Sequence, residues 1–287
     1  MKPYILFSLL ILFTLSSCEK YYEMDLPEVD KRLVLEGVYT NEYQPCTFIL
    51  SNTTKYKYHY DSINYSYEKG ARLIISDETG NSDTLSEIAS GRYSTHPAKM
   101  QGIIGRSYKL DIVTSAGKHY ISNSERMQNV PKIDSLYYER DVNKRSTTYA
   151  NAYLNKAYID WRDPKDTANY LMLYITYYWN GIWQDKSRWC QILNDNNMDG
   201  KLFKKWNIIS EYDGKYFIIK VNFYSLTKDN YDYWNILFQQ MYPNEDADVN
   251  ASVPLIGNIY SATDSKDYVL GYFQVSATSS KQVYVDH

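Results

Sequence analysis

From residue 32 to residue 122 the chain alternates short apolar or β-branched runs with Gly, Asn and Asp: "RLVLEGVYT", "CTFILSNT", "ARLIISDETGN", "SDTLSEI", "GRYSTH" and "SYKLDIVTSAGKHYIS". A period of two broken by turn residues predicts the short strands of a sandwich. Glu78-Thr79-Gly80-Asn81 and Ala116-Gly117 carry the turn chemistry of two hairpins. At "RMQNVPKIDSLYYER" the pattern restarts, with Pro131 at the boundary, and the polar run "RDVNKRSTTYAN" predicts a long loop. The strand "NKAYIDWRD" leads through "PKDTAN" into "YLMLYITYYW", apolar on both faces as a central strand requires. Asn180-Gly181 suits a turn with positive φ at both residues, so "ITYYWNGIWQDKSRW" predicts a hairpin with Trp179 and Trp183 near its tip. In "TKDNYDYWNILFQQMYP", Thr227 is an N-cap, and Tyr231, Trp234, Leu237, Phe238 and Met241 recur at helical spacing. That pattern predicts one amphipathic helix near 227–242, stopped by Pro243, with its stripe on the sheet.

These elements predict a mainly β protein with two domains, at 31–130 and 131–287. In the first, the order strand, Asp77-x-x-Gly80, strand, Gly91-x-Tyr93 and then G-x-x-Y-x-L-x-I from Gly105 to Ile112 resembles immunoglobulin-like or prealbumin-like sandwich modules. The second is a β-rich domain carrying the helix. Composition sharpens the division. The 32 tyrosines favour strands and half-wet surfaces, and every tryptophan lies at or after Trp161.

The N-terminus changes the compartment. Lys2 precedes an apolar stretch from Tyr4 to Leu15, shorter than the roughly 20 residues that span a bilayer. Residues 1–17 therefore read as a signal peptide. Leu15-Ser16-Ser17-Cys18 resembles the bacterial lipobox, which makes Cys18 the lipidated first residue of the mature chain and 18–30 a tether. With 31 basic and 34 acidic side chains and no basic cluster, nucleic acid is not an expected partner. Cys46 and Cys190 fall in different predicted domains, and a disulfide needs Cα atoms within about 7 Å, so two free thiols are expected.

Catalytic signatures are sparse. His59, His96, His119 and His287 show no metal-ligand spacing, and the sequence has no G-x-S-x-G elbow, phosphate loop or C-x-x-C pair. No enzyme activity and no cofactor are expected, although a hydrolase with paired carboxylates has no local signature to look for. "DNNMDG", from Asp195 to Gly200, matches the first half of an EF-hand loop, with oxygen ligands at Asp195, Asn197 and Asp199. Position twelve of that loop is Trp206 where a bidentate Glu belongs, so the stretch reads as a tight turn and no metal is expected. Trp179, Trp183, Arg188 and Trp189 form a candidate interaction surface, because Trp and Arg dominate interface hot spots. "DSI", "DTL", "DSL" and "DTA", at Ser62, Thr84, Ser135 and Thr167, resemble a short bacterial O-glycosylation acceptor pattern.

The lipobox, "LVLEGVYTNE", "DWRDPKDTANYLMLYI", "NDNNMDGK", "YSLTKDNYDYW" and the closing "LIGNIYSATDSKDYVLGYFQVSA" together resemble the Bacteroidetes lipoproteins of domain-of-unknown-function family 4249. The resemblance implies an outer-membrane lipoprotein associated with a TonB-dependent receptor and having no established catalytic residues. Glu19, Glu23 and Asp25 are similar to the acidic stretch that favours display on the cell exterior in that group. The function expected is that of a non-catalytic accessory or binding protein of a TonB-dependent transport system. The alternative is a carbohydrate-binding or adhesive surface module, and behind it a carboxylate hydrolase.

Overall fold

The computed structural model describes residues 31–54, 66–145, 153–166, 169–179, 182–184, 190–196, 198–213, 218–241, 255–264 and 266–285. The predicted signal peptide and the 18–30 tether lie outside them. The protein is mainly β, with strands gathered around two hydrophobic cores.

The first core lies between two sheets. One runs in the order β20 (Leu270–Gly271), β1 (Leu33–Glu36), β3 (Thr47–Asn52), β8 (Arg92–Ser94), β7 (Ser86–Ala89), with β4 (Ser66–Tyr67) also on β3. The other runs β19 (Ile259–Ser261), β10 (His119–Ser122), β9 (Ser107–Val113), β5 (Arg72–Asp77), β6 (Ser82–Thr84), with β11 (Glu125–Arg126) on β9. The alternation seen in the sequence sets the faces: Tyr108, Leu110 and Ile112 of β9 point into the core while the residues between them stay partly or fully exposed. Phe48 and Leu50 meet them from the other sheet. The predicted turn at 78–81 is held by the buried Asp77 carboxylate, which accepts from Thr79 N, Thr79 Oγ1, Asn81 N, Asn81 Nδ2 and Arg106 Nη1 at 2.8–2.9 Å. "SDTLSEI" is two strands and not one. Buried Leu85 separates β6 from β7, and these belong to different sheets, so the chain changes layers there.

The segment 255–277 departs from the predicted boundary. It belongs with the first core and not with the domain assigned to 131–287. β20 pairs in parallel with β1, β19 pairs with β10, and β21 (Gln274–Ser276) pairs in parallel with β2 (Val38–Thr40). Ile259, Val269, Phe273 and Val275 are all fully buried in that core. Without them one face of the sandwich would be wet.

The second core is built by β12 (Ile133–Arg145), β13 (Tyr153–Arg162) and β17 (Leu202–Asp213) in one sheet. The other sheet runs β15 (Ile182–Gln184), β14 (Tyr170–Trp179), β18 (Ile218–Leu226), β22 (Thr278–Tyr284), with β16 (Cys190–Asn194) on β14. β14 is central as predicted, with Leu171, Leu173 and Ile175 on the core face and Met172 also buried. Trp161 of β13 is fully buried, stacked on Phe203 at 4.7 Å and edge-on to Phe223 at 5.0 Å. The predicted loop after Arg140 is strand as far as Arg145, because ladder pairing with β13 continues past the apolar stretch as an exposed polar ribbon. The helix α1 (Lys228–Met241) begins at Thr227, whose Oγ1 accepts from Asn230 N at 3.2 Å. Its stripe is less buried than predicted: Tyr231, Trp234, Leu237 and Phe238 are half-buried and Met241 is exposed.

Candidate functional site

Three carboxylates converge where the two sheets of the second core meet. Asp163 follows the last residue of β13, and Asp195 follows β16, at the start of the turn that crosses to β17. Asp163 N donates to Lys201 O at 2.9 Å, which continues the β13–β17 ladder and brings the 195–200 turn over the Asp163 side chain. Gly200, at φ +69, aims its N–H at Asp163 Oδ2 (3.3 Å). Asn169 Nδ2 reaches Asp163 Oδ1 at 3.5 Å, and Asp199 Oδ1 accepts Asp166 N at 2.6 Å. One ligand oxygen from each of Asp163, Asp195 and Asp199 lies within 4.8 Å of the others. Asp163 is 1% exposed. Burial pushes its carboxyl up to about 6, and the charge of Asp195 adds to the rise. Of the predicted ligand set, Asp195 and Asp199 are therefore brought together, and Asn197 lies outside the described residues. Asp163 carries no sequence signal of this role, because nothing local in "DWRDPKD" ties it to a turn more than thirty positions away.

The aromatic hairpin is the second feature. β14 pairs with β15 through Tyr178 with Trp183 and Trp179 with Ile182. Trp183 is 45% exposed and Ile182 64%, while the Trp183 ring sits edge-to-face against Tyr178 at 5.5 Å. Arg188 and Trp189 lie outside the described residues.

A third constellation has no contiguous signature in the sequence. Ser86 Oγ is 2.9 Å from His96 Nε2, and His96 Nδ1 is 2.9 Å from Oδ1 of buried Asp83. The order of atoms is that of a Ser-His-Asp triad. Asp83 also accepts the backbone N–H of His96 at 2.6 Å, and His96 O accepts from Lys99 N and Met100 N. The carboxylate thus caps the turn that opens at His96, which accounts for its burial without a reaction. Ser86 stands on an exposed strand.

Among the remaining candidate positions, Thr84 is exposed on β6, whereas the Ser135 hydroxyl oxygen is shielded from solvent. Cys18, Ser62 and Thr167 lie outside the described residues. Cys46 and Cys190 are both free. Burial pushes the Cys190 thiol up to about 12, which makes it a poor nucleophile.

Two β cores, the first completed by a returning C-terminal segment, with an acidic crossing and an exposed aromatic hairpin on the second, define a mainly β protein. The chain belongs to the family described as a domain of unknown function (DUF4249), which it matches over residues 19–282. No curated protein matches it.

Proposed function

We propose that this protein is a lipid-anchored outer-membrane protein that acts as a non-catalytic binding accessory of a TonB-dependent transport system, displayed toward the cell exterior. The observation carrying the binding role is the Ile182–Trp183 tip, an exposed apolar pair on a short strand at the edge of a sheet. Exposed Trp beside Ile is a surface that gains by being covered, and truncating such an anchor often costs about 2 kcal/mol or more of binding. The anchor rests on the lipobox ending at Cys18 and on family membership. No helix among the described residues is long and apolar enough to cross a membrane, so attachment through Cys18 is the route the reading uses. A protein partner is favoured over a sugar by ring geometry. Tyr178 and Trp183 meet at 61° and so do not form the flat pair on which a pyranose would stack.

The test is co-purification from the native membrane with wild type and Trp183→Ala. The expected result is a receptor-class partner retained by wild type, at least tenfold depleted from the variant, with the variant's melting temperature within about 2 °C of wild type. Equal recovery with both proteins would remove Trp183 from the binding surface.

A further inference from the structure

We propose that Asp163, Asp195 and Asp199 bind a calcium ion that clamps the two sheets of the second core at the 195–200 crossing. The carboxylates come from both sheets: Asp163 extends β13, and Asp195 extends β16. Their oxygens lie within 4.8 Å of one another. That spacing fits one coordination sphere with Ca–O of about 2.3–2.6 Å, where opposed ligands sit about 5 Å apart; magnesium, at about 2.1 Å, would draw them closer and resists losing its waters. The donors are hard oxygens only, which disfavours zinc and copper.

A cluster of acids is common on surfaces, but this one runs from exposed Asp199 through half-buried Asp195 to a buried member. Asp163 is 1% exposed. Asp195 Oδ1 is shielded from solvent and has no hydrogen-bond partner, and an Asp195 carboxylate oxygen lies within 4.8 Å of one from Asp163. Among the described residues no Lys, Arg or His forms an ion pair with any of the three. Carboxylates gathered this closely with no cation among them repel, and a divalent ion relieves that repulsion, taking as one ligand the shielded Asp195 Oδ1 that lacks a partner.

Tertiary structure also completes the half EF-hand pattern of residues 195–200. An EF-hand loop takes its last carboxylate from position twelve, which here is Trp206, a residue packed against the second core. The missing carboxylate arrives through tertiary structure, from Asp163. The exposed side of Asp199 leaves room for the waters that would complete six to eight ligands. With three carboxylates and a partly open sphere, the affinity should fall in the range of extracellular calcium modules, with dissociation constants of about 0.1–1 mM.

The experiment uses the full-length lipidated protein in detergent, stripped with a chelator, and then measures thermal unfolding against added calcium and magnesium. Terbium is the second probe, because its luminescence is sensitised by nearby indoles, and Trp161 lies two positions from Asp163. At a hundredfold excess over the dissociation constant the expected rise in melting temperature is about 5–10 °C with calcium and under about 2 °C with magnesium. Asp199→Asn, which keeps the acceptor for Asp166 N, should fold like wild type and lose both the calcium shift and the terbium signal. Asp163→Asn should lose them too and melt higher than wild type without metal, since it removes the buried repulsion. Three results would overturn the assignment: no calcium shift up to about 100 mM and no terbium signal, an equal shift with magnesium, or an undiminished calcium shift in Asp199→Asn.

Discussion

Gly271→Ala tests the returning segment that completes the first core. Gly271 has φ +91 and stands in β20 directly against Leu35 of β1. A Cβ there would overlap the Leu35 carbonyl oxygen, with Leu35 C at 3.1 Å and Leu35 N at 3.4 Å. These are backbone atoms of a strand paired on both sides, so they cannot swing away as a side chain would. Gly80 supplies the control. It has the same φ, +91, and nothing within 4 Å of a built Cβ. Both substitutions carry a left-handed backbone penalty of about 1–2 kcal/mol. Only Gly271→Ala must also part β20 from β1 and loosen Val269 and Phe273, each 0% exposed. Losing part of two such burials, worth about 1.5–3 kcal/mol each, brings its total to about 3–5 kcal/mol. Urea unfolding followed by far-UV circular dichroism and by tryptophan fluorescence measures the difference. The tryptophans report the second core and its helix, and both signals should move together if the two cores unfold as one. Equal midpoints for Gly271→Ala and Gly80→Ala would show that the close approach to β1 does not exist.

Two further outcomes follow from buried acids in the first core. Burial raises the Asp77 carboxyl, but hydrogen bonds from Asn81 and Thr79 more than offset it and hold it well below the usual carboxylate range. Its folded pKa lies below the unfolded value, so its stabilisation is complete above about pH 4 and is lost as pH falls further. Asp77→Asn should lower stability at neutral pH by about 2–4 kcal/mol and flatten the loss between pH 4 and 2; parallel acid-unfolding curves for the two proteins would contradict this. For Ser86, His96 and Asp83 the capping role predicts no labelling by a fluorophosphonate probe and a Ser86→Ala melting temperature within about 2 °C of wild type. Labelling that disappears in Ser86→Ala would make the constellation a nucleophile and reopen the hydrolase reading.

What the sequence discloses is what neighbours decide. The β9 alternation, the 78–81 turn and the Thr227 cap each depend on residues within one element, and each is found where the pattern puts it. Long-range pairing carries no such imprint. "YVLGYFQVSA" has the apolar content to join any sheet, and its choice of β1 and β2 as parallel neighbours is made by shape, chiefly the glycine that lets β20 approach Leu35. The polar end of β12 has no apolar face to betray a strand, because pairing with β13 alone holds it. Asp163 was illegible for the same reason: its partners are defined by the β13–β17 register.

The two cores are joined by a polar junction, and this decides how the molecule can present a surface. Ser225, fully buried at the end of β18, donates its hydroxyl to Gln128 O and accepts Ala277 N, both at 2.9 Å, while its carbonyl accepts Ser276 Oγ at 2.7 Å. Beside it, Glu125 accepts from Tyr272 OH at 2.7 Å, Thr227 Oγ1 at 2.9 Å and Asn258 Nδ2 at 3.1 Å. Burial still holds that carboxyl above its ordinary range. An apolar junction would tolerate sliding, since hydrophobic contact has no direction. Hydrogen bonds between buried groups do not tolerate it, because each displaced donor or acceptor is left unpaired at about 1–3 kcal/mol. The Ser225 and Glu125 groups draw on residues from both cores and from the returning segment, so bending one core against the other would break several of these bonds together. The chain enters the first core at β1 and exposes Trp183 on the second. These directional bonds therefore fix the exposed Trp183 hairpin of the second core relative to β1, where the first core begins.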